Sequence, residues 1–316
     1  MAATVPYLLL KIAWLTSHYI GAVDPEVLAA PTFVVVNAVT LLLDLAVVVV
    51  AAALGWQWGL RLPAWLVLGP MWVATGLLVT VGVGASVAAL LALVLPAASA
   101  AVGVPGLRPW VFAVVYTGFA LQALLLSWLF VRYLRARWPG LLAAERAPSG
   151  DVRALRRPLD VRTGPLRRTV DAAAILLCTA VAVLDGGIAT FGHPPWPGAA
   201  GVRPMPDRVS AAVTALAALL GIWATAVQRR RLRAGRSLFG PLAVVWTATG
   251  SMVLWGLYTR VVALALPAAT PSVRVDEVEI IAGTLLVLAV AGTPRSAPAS
   301  GRSVDGRRAH AGGAPR

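Results

Sequence analysis

Long apolar stretches separated by short polar segments dominate the pattern of this chain. A helix that crosses the hydrocarbon core of a membrane needs about 20 mostly apolar residues. The two weakest candidates are the first, which contains Lys11 and His18, and the last, which begins among three acidic residues. The third is long enough to tilt, or to break near Gly82 and Gly84. The pattern predicts an all-α, polytopic transmembrane bundle of about eight helices, at 5–22, 31–54, 64–94, 109–131, 171–191, 208–228, 239–266 and 277–293.

Composition excludes a soluble domain. Hydrophobic residues make up 59% of the chain and charged residues only 13%, with a mean hydropathy of +0.80. Ordinary soluble domains carry about 25% charged residues. Cys178 is the only cysteine and lies in an apolar stretch, so a disulfide within the chain is excluded. We expect this thiol to be a small buried apolar group.

The net charge of +14 arises from 27 basic residues against 13 acidic ones, and Lys11 is the only lysine. In a soluble protein this balance would suggest nucleic-acid binding. Here the arginines cluster between apolar stretches, as is typical of cytoplasmic loops that set membrane topology. The expected partners are therefore the lipid bilayer and, through the Arg-rich loops, anionic lipid head groups, with no nucleic acid.

Two arginine clusters predict the orientation. Segments 132–168 and 229–236 are both expected to be cytoplasmic, and an even number of predicted helices separates them. This orientation places both termini in the cytoplasm and the protein in the plasma (inner) membrane. The predicted organisation is an N-terminal half of four helices, an Arg-rich cytoplasmic linker, a C-terminal half of four helices and a disordered cytoplasmic tail, at 1–131, 132–169, 170–293 and 294–316.

A short motif recurs along the chain. Trp72 and 74–76 (Ala-Thr-Gly) recur as Trp246 and 248–250 (Ala-Thr-Gly) at a constant offset. A shift of four helices preserves orientation, so the recurrence favours two parallel four-helix repeats. Chance matches are also frequent in a chain this rich in Ala, Val and Leu.

Four polar residues in the first two apolar stretches have matching spacings. Lys11 and His18 lie seven residues apart, and so do Asn37 and Asp44. If the two helices are antiparallel, Lys11 meets Asp44 and His18 meets Asn37. One interpretation is that the charged pair neutralises itself and holds the hairpin together. The other is a proton or ion relay, or a polar substrate contact, inside the bundle.

A second candidate pair lies in the C-terminal half. Asp185 and Arg260 fall at similar heights in the outer parts of the fifth and seventh stretches. Their opposite charges predict an ion pair there. The alternative is that Arg260 extends its side chain to the membrane surface.

Several chemistries have no support in the sequence. A membrane haem would need two histidines on facing helices, but His18 is the only histidine within an apolar stretch. Zinc-protease, nucleophile-elbow and phosphate-loop motifs are absent. The sequence therefore predicts no cofactor, no metal and no catalytic residue.

The stretches PYLLLKIAW, NAVTLLLD and WGLRLPAWLVLGPMWVATG resemble poorly characterised multi-pass membrane proteins of high-GC actinobacteria. The resemblance covers about the first 130 residues. It implies a membrane location and a helical fold. Because that family has no established activity, the resemblance assigns no role to any residue.

Three functional hypotheses remain open. The first is a transporter-like or permease-like protein with its polar interior on the first two helices. The second is a non-transporting membrane anchor or assembly module that binds partners through its basic cytoplasmic loop, and the third is an intramembrane enzyme. A tunnel from either side of the membrane that reaches Asp44 or His18 favours transport, whereas a closed, fully packed contact between Lys11 and Asp44 with no cavity favours the structural module.

Overall fold

The computed structural model describes residues 5–94, 107–139, 164–193, 205–234, 238–265 and 275–291, together with Pro195 and Arg203. These residues form helices, with a single isolated β-bridge between Ala22 and Leu107. Short helical turns at Pro25–Ala29 and Gln57–Arg61 connect longer elements. The principal helices are α1 (Val5–Leu15), α2 (Pro31–Gly55), α3 (Ala64–Val94), α4 (Pro109–Arg137), α5 (Pro165–Phe191), α6 (Met205–Arg233), α7 (Phe239–Ala265) and α8 (Val275–Ala291).

Six of these helices, α2 to α7, are long and apolar enough to cross a membrane. The all-helical membrane class is therefore confirmed, but eight crossings are not. Within the residues that the structure describes, helix α1 spans 11 residues and α8 spans 17. At about 1.5 Å per residue, both are shorter than a hydrocarbon core of roughly 30 Å.

Helix α1 ends earlier than the apolar pattern predicts. The hydroxyl of Thr16 donates to the carbonyl oxygen of Ile12 at 2.9 Å, and Ser17 adopts a left-handed backbone with φ of 64°. A non-glycine residue in that region interrupts a right-handed helix. The chain therefore leaves the helical path before His18.

Helix α3 is continuous from Ala64 to Val94, so of the two alternatives for the third stretch, a tilt or a break near Gly82 and Gly84, the break does not occur. Proline stands at the start of α2, α4 and α5, where its missing N–H costs nothing. Helix α5 stops at Gly192, which has φ of 80°.

Each half of the described chain forms a closed ring of four helices. Helix α1 packs on α2, α2 on α3, α3 on α4, and α4 returns to α1. The second half repeats this order from α5 to α8. Helix α3 joins the rings by packing on α6 and α7.

The recurring motif lies at the contact between α3 and α7. Gly76 lies directly against the Gly250 backbone. The Trp72 indole N–H lies 3.2 Å from the Trp246 carbonyl oxygen and 3.3 Å from the Thr249 hydroxyl. Small residues at these positions allow the two helix backbones to approach closely.

Many of the described arginines gather at one end of the bundle. Arg137 donates to the Leu60 carbonyl oxygen, and Arg229 pairs with Asp171 at 2.6 Å. Arg167 donates to the carbonyl oxygen of Ala289 at 3.1 Å. We call this end the arginine layer. Residues 140–163, the central part of the contact surface expected for an anchor, and the predicted tail lie outside the described residues.

Candidate functional site

Lys11 and Asp44 form the ion pair that their spacing predicts. The Lys11 ammonium nitrogen lies 2.5 Å from Asp44 Oδ2. Lys11 is fully buried and Asp44 is 5% exposed. The ammonium also lies 4.0 Å from the centre of the Tyr7 ring. The opposite charge of Asp44 and an aromatic face thus compensate part of the cost of removing Lys11 from water.

The predicted contact between His18 and Asn37 is wrong. His18 is exposed, and its Nδ1 lies 2.9 Å from the carbonyl oxygen of Thr16. Asn37 is buried, and its amide donates to the carbonyl oxygen of Phe33 on its own helix. The reason is that α1 ends at Leu15, so the seven-residue periodicity no longer applies at position 18.

A cavity of about 610 Å³ opens beside the ion pair, between the helices of the first half and α7. Many of the side chains that line the cavity are aliphatic or aromatic. Short side chains such as Val47 and Ala74 face it from α2 and α3. His18 does not line it. Its hydroxyl, amide and charged groups belong to Tyr7, Lys11, Asn37, Thr40, Asp44, Tyr116, Gln122 and Tyr258.

Gln122 on α4 is the most unusual polar residue of the cavity wall. It is only 3% exposed and lies beside Asp44. Neither its amide nitrogen nor its amide oxygen completes a hydrogen bond of normal geometry with the described residues. Buried amides are normally hydrogen bonded, so this group has capacity for an additional partner. From the sequence, a lone amide in an apolar helix is expected to form an interhelical hydrogen bond. The isolation of Gln122 among apolar residues is the only sequence signal that it could bind a ligand.

The predicted pairing of Asp185 with Arg260 is also wrong. Arg260 instead lies 3.4 Å from Glu277 Oε1 on α8. In the closed ring, α5 and α7 occupy opposite corners, and α8 packs on both of them. The acidic residues at the start of α8 therefore contact both predicted partners.

Asp185 faces Glu279 of α8, and we call these two residues the carboxyl pair. They are 2% and 6% exposed, and their carboxyl groups lie within hydrogen-bonding reach of each other. Asp185 Oδ2 and Glu279 Oε2 have no other hydrogen-bond partner among the described residues. Gly256 of α7 leaves room for this arrangement, because a methyl group there would lie 3.2 Å from Glu279 Oε2. Asp185 was predicted from the sequence as a candidate site residue, and Glu279 was not.

Comparison of the chain with protein-family models, curated proteins and solved structures found no match. Within the part of the chain that the structure describes, no group of three His, Cys, Asp or Glu side chains is placed to hold a metal ion. The candidate site is therefore defined by its own geometry: a cavity bordered by a buried ion pair in the first half, and the carboxyl pair in the second.

Proposed function

We propose that the protein is transporter-like or permease-like and binds a small amphiphilic molecule in the cavity of its first half. The observation that carries this proposal is that the cavity reaches the buried pair of Lys11 and Asp44. A pair that only fastened α1 to α2 would be expected within fully packed side chains. Charged groups inside a membrane bundle commonly mark substrate or ion pathways.

The lining indicates the chemistry of the ligand. A volume of about 610 Å³ lies in the range of small-molecule sites. The aliphatic and aromatic walls favour a ligand with an apolar body. The amide of Gln122, beside Asp44, is the group best placed to bind a polar substituent.

Cysteine reactivity tests whether the cavity is reached from water. In a Cys178→Ala background, Gln122→Cys should react with the membrane-impermeant reagent methanethiosulfonate ethylsulfonate in membrane vesicles. Met252→Cys is the control, because Met252 is fully buried in a packed cluster of the second half. We expect Gln122→Cys to react much faster, and Ala74→Trp, which fills the cavity, to slow that reaction. Equal protection of the two cysteines in vesicles of both orientations would overturn the proposal.

We propose further that both termini lie in the cytoplasm of a plasma-membrane protein. The arginine layer supports this orientation through the positive-inside rule. In the Cys178→Ala background, Glu26→Cys should be labelled from outside intact cells, and Arg230→Cys only after the cells are opened. Both positions are exposed. Labelling of Arg230→Cys in intact cells would contradict the orientation.

A duplication of four helices is part of the same proposal. Its support is the identical order of packing in the two rings and the contact of Trp72 with Trp246, which lie 174 residues apart. The same offset relates Lys11 to Asp185. Each half thus carries a buried charged residue at the corresponding place of its first helix.

A further inference from the structure

The carboxyl pair lies at the end of the second ring that is opposite the arginine layer. Asp185 stands near the end of α5, and Glu279 stands in the second turn of α8. Both side chains are more than nine-tenths buried, and each has an oxygen without a hydrogen-bond partner. The cavity lining includes neither residue, so the proposed ligand site does not use this pair.

Two carboxylates in contact and away from water cannot both be ionised, because like charges repel strongly at low dielectric. A single proton removes this conflict. The un-ionised carboxyl donates its O–H to the carboxylate of its neighbour, and the two groups then carry one negative charge together. The two oxygens left without partners fit this arrangement, since no other described donor reaches them.

The surrounding charges are consistent with one negative charge on the pair. Arg203 is half-buried and interacts favourably with both carboxyl groups. Its backbone N–H donates to the Gly192 carbonyl oxygen at 2.7 Å, which holds it at the end of α5. One positive charge therefore lies near a pair that carries one negative charge, and Arg203 itself is partly exposed.

The other charged groups near the pair have different roles. Asp276 on α8 adds negative charge near Glu279 and makes its ionisation still less favourable. On α6, Asp207 interacts with Arg203, while Arg208 donates to carbonyl oxygens at the end of α5. On α7, Arg260 is paired with Glu277. Helix α7 contacts Glu279 at Gly256, which carries no charge.

We propose that the carboxyl pair is a proton-binding site, which holds one proton between Asp185 and Glu279 and exchanges it with the aqueous side on which Arg203 lies. The step involves only O–H bonds: as the shared proton leaves to water, water supplies another proton to the pair, so the pair keeps one proton and one negative charge. The site is independent of the proposed transport function. In a carrier, it would supply a site for a coupling ion in the half of the protein that lacks the cavity's ion pair.

Infrared spectroscopy of the purified full chain in lipid vesicles tests this site. At neutral pH, the wild type should show the C=O stretch of an un-ionised carboxylic acid, and the band should shift in D₂O because the proton exchanges. Asp185→Asn and Glu279→Gln should each abolish the band, since the amide N–H replaces the shared O–H while one negative charge remains. Glu277→Gln is the control on the same helix and should retain the band, because Glu277 is ion-paired with Arg260.

The outcomes are separable from those of the cysteine experiment. The proposal is overturned if the wild type lacks the acid band at neutral pH, if the band does not shift in D₂O, or if both amide variants retain it. If the amide variants fail to fold, the band and its D₂O shift in the wild type still decide the question. Protection of Gln122→Cys would overturn transport and leave this site unaffected.

Discussion

Asp44→Asn is expected to lower the free energy of unfolding by about 3–5 kcal/mol, because it leaves a buried ammonium without its counter-charge. Lys11 is fully buried, and its nitrogen lies 2.5 Å from the Asp44 carboxylate. The Tyr7 ring still faces the ammonium, but a ring face replaces a carboxylate poorly. The measurement is reversible unfolding in mixed micelles at increasing fractions of denaturing detergent.

Asp171→Asn provides a matched control. Asp171 also pairs with arginines, Arg229 at 2.6 Å and Arg167 at 3.9 Å, but Arg229 is about one-third exposed and can return to water. Its replacement should therefore cost about 1 kcal/mol or less. Equal losses for the two variants would show that the pair of Lys11 and Asp44 is not isolated from water.

A double-mutant cycle separates pairing from other roles of these side chains. Lys11→Met combined with Asp44→Leu removes both charges and should recover much of the stability that Asp44→Asn loses. If the single losses of Lys11→Met and Asp44→Leu simply add, the ion pair makes no net coupling contribution. In that case Lys11 and Asp44 would serve the cavity and would not stabilise the fold as a pair.

The contrast between Lys11 and His18 shows how far sequence periodicity extends. Lys11 lies within α1. Its contact with Asp44 is predicted from the positions of the two residues, because consecutive helices fold back on each other. His18 lies seven residues after Lys11, so the same periodicity would place it on the same helix face. Its position depends on the chain path at Ser17, where a left-handed residue ends the helix. Spacing predicts contacts only while the helix continues, and no periodicity marks this particular end.

The error at Asp185 has a different origin. The depth of a residue along its helix follows from the sequence, and Asp185 and Arg260 do lie near the same end of the bundle. Which helices are neighbours depends on lateral packing, and α8 packs on both α5 and α7. Glu277 and Glu279 were visible as acids at the start of a weak apolar stretch. Their partners could be found only from the order of helices in the ring.

The cavity could not be predicted because volume is a property of packing. Val47 and Ala74 are ordinary apolar residues in the sequence, and only their positions on facing helices leave space between them. Three of the polar residues around that space, Lys11, Asn37 and Asp44, were predicted from the sequence as part of a polar interior. Their convergence on one cavity emerges only in the folded chain.

Gly76→Ala is expected to destabilise the protein by about 1–3 kcal/mol, because the new methyl group would overlap the Gly250 carbonyl group. The two helix backbones must then separate, which lengthens the bond from the Trp72 indole to the Trp246 carbonyl oxygen, now 3.2 Å. Gly76→Leu should have a larger effect and weaken the contact between the two rings. Unfolding in mixed micelles gives the stability, and Trp72 fluorescence in a background lacking neighbouring tryptophans reports the separation.

Gly82→Ala on the same helix is the control with the opposite expected sign. Apart from its chain neighbours and the backbone of its own helix, a methyl group at Gly82 would meet no atom within 4 Å. Alanine is favoured over glycine in a helix by about 0.5–1 kcal/mol, so this substitution should slightly stabilise the protein. Opposite effects of one chemical change at two positions of α3 would locate the contact between the halves at Gly76. Stabilisation by both substitutions would mean that α3 and α7 do not approach as closely as described, and the packing argument for the duplication would fail with it.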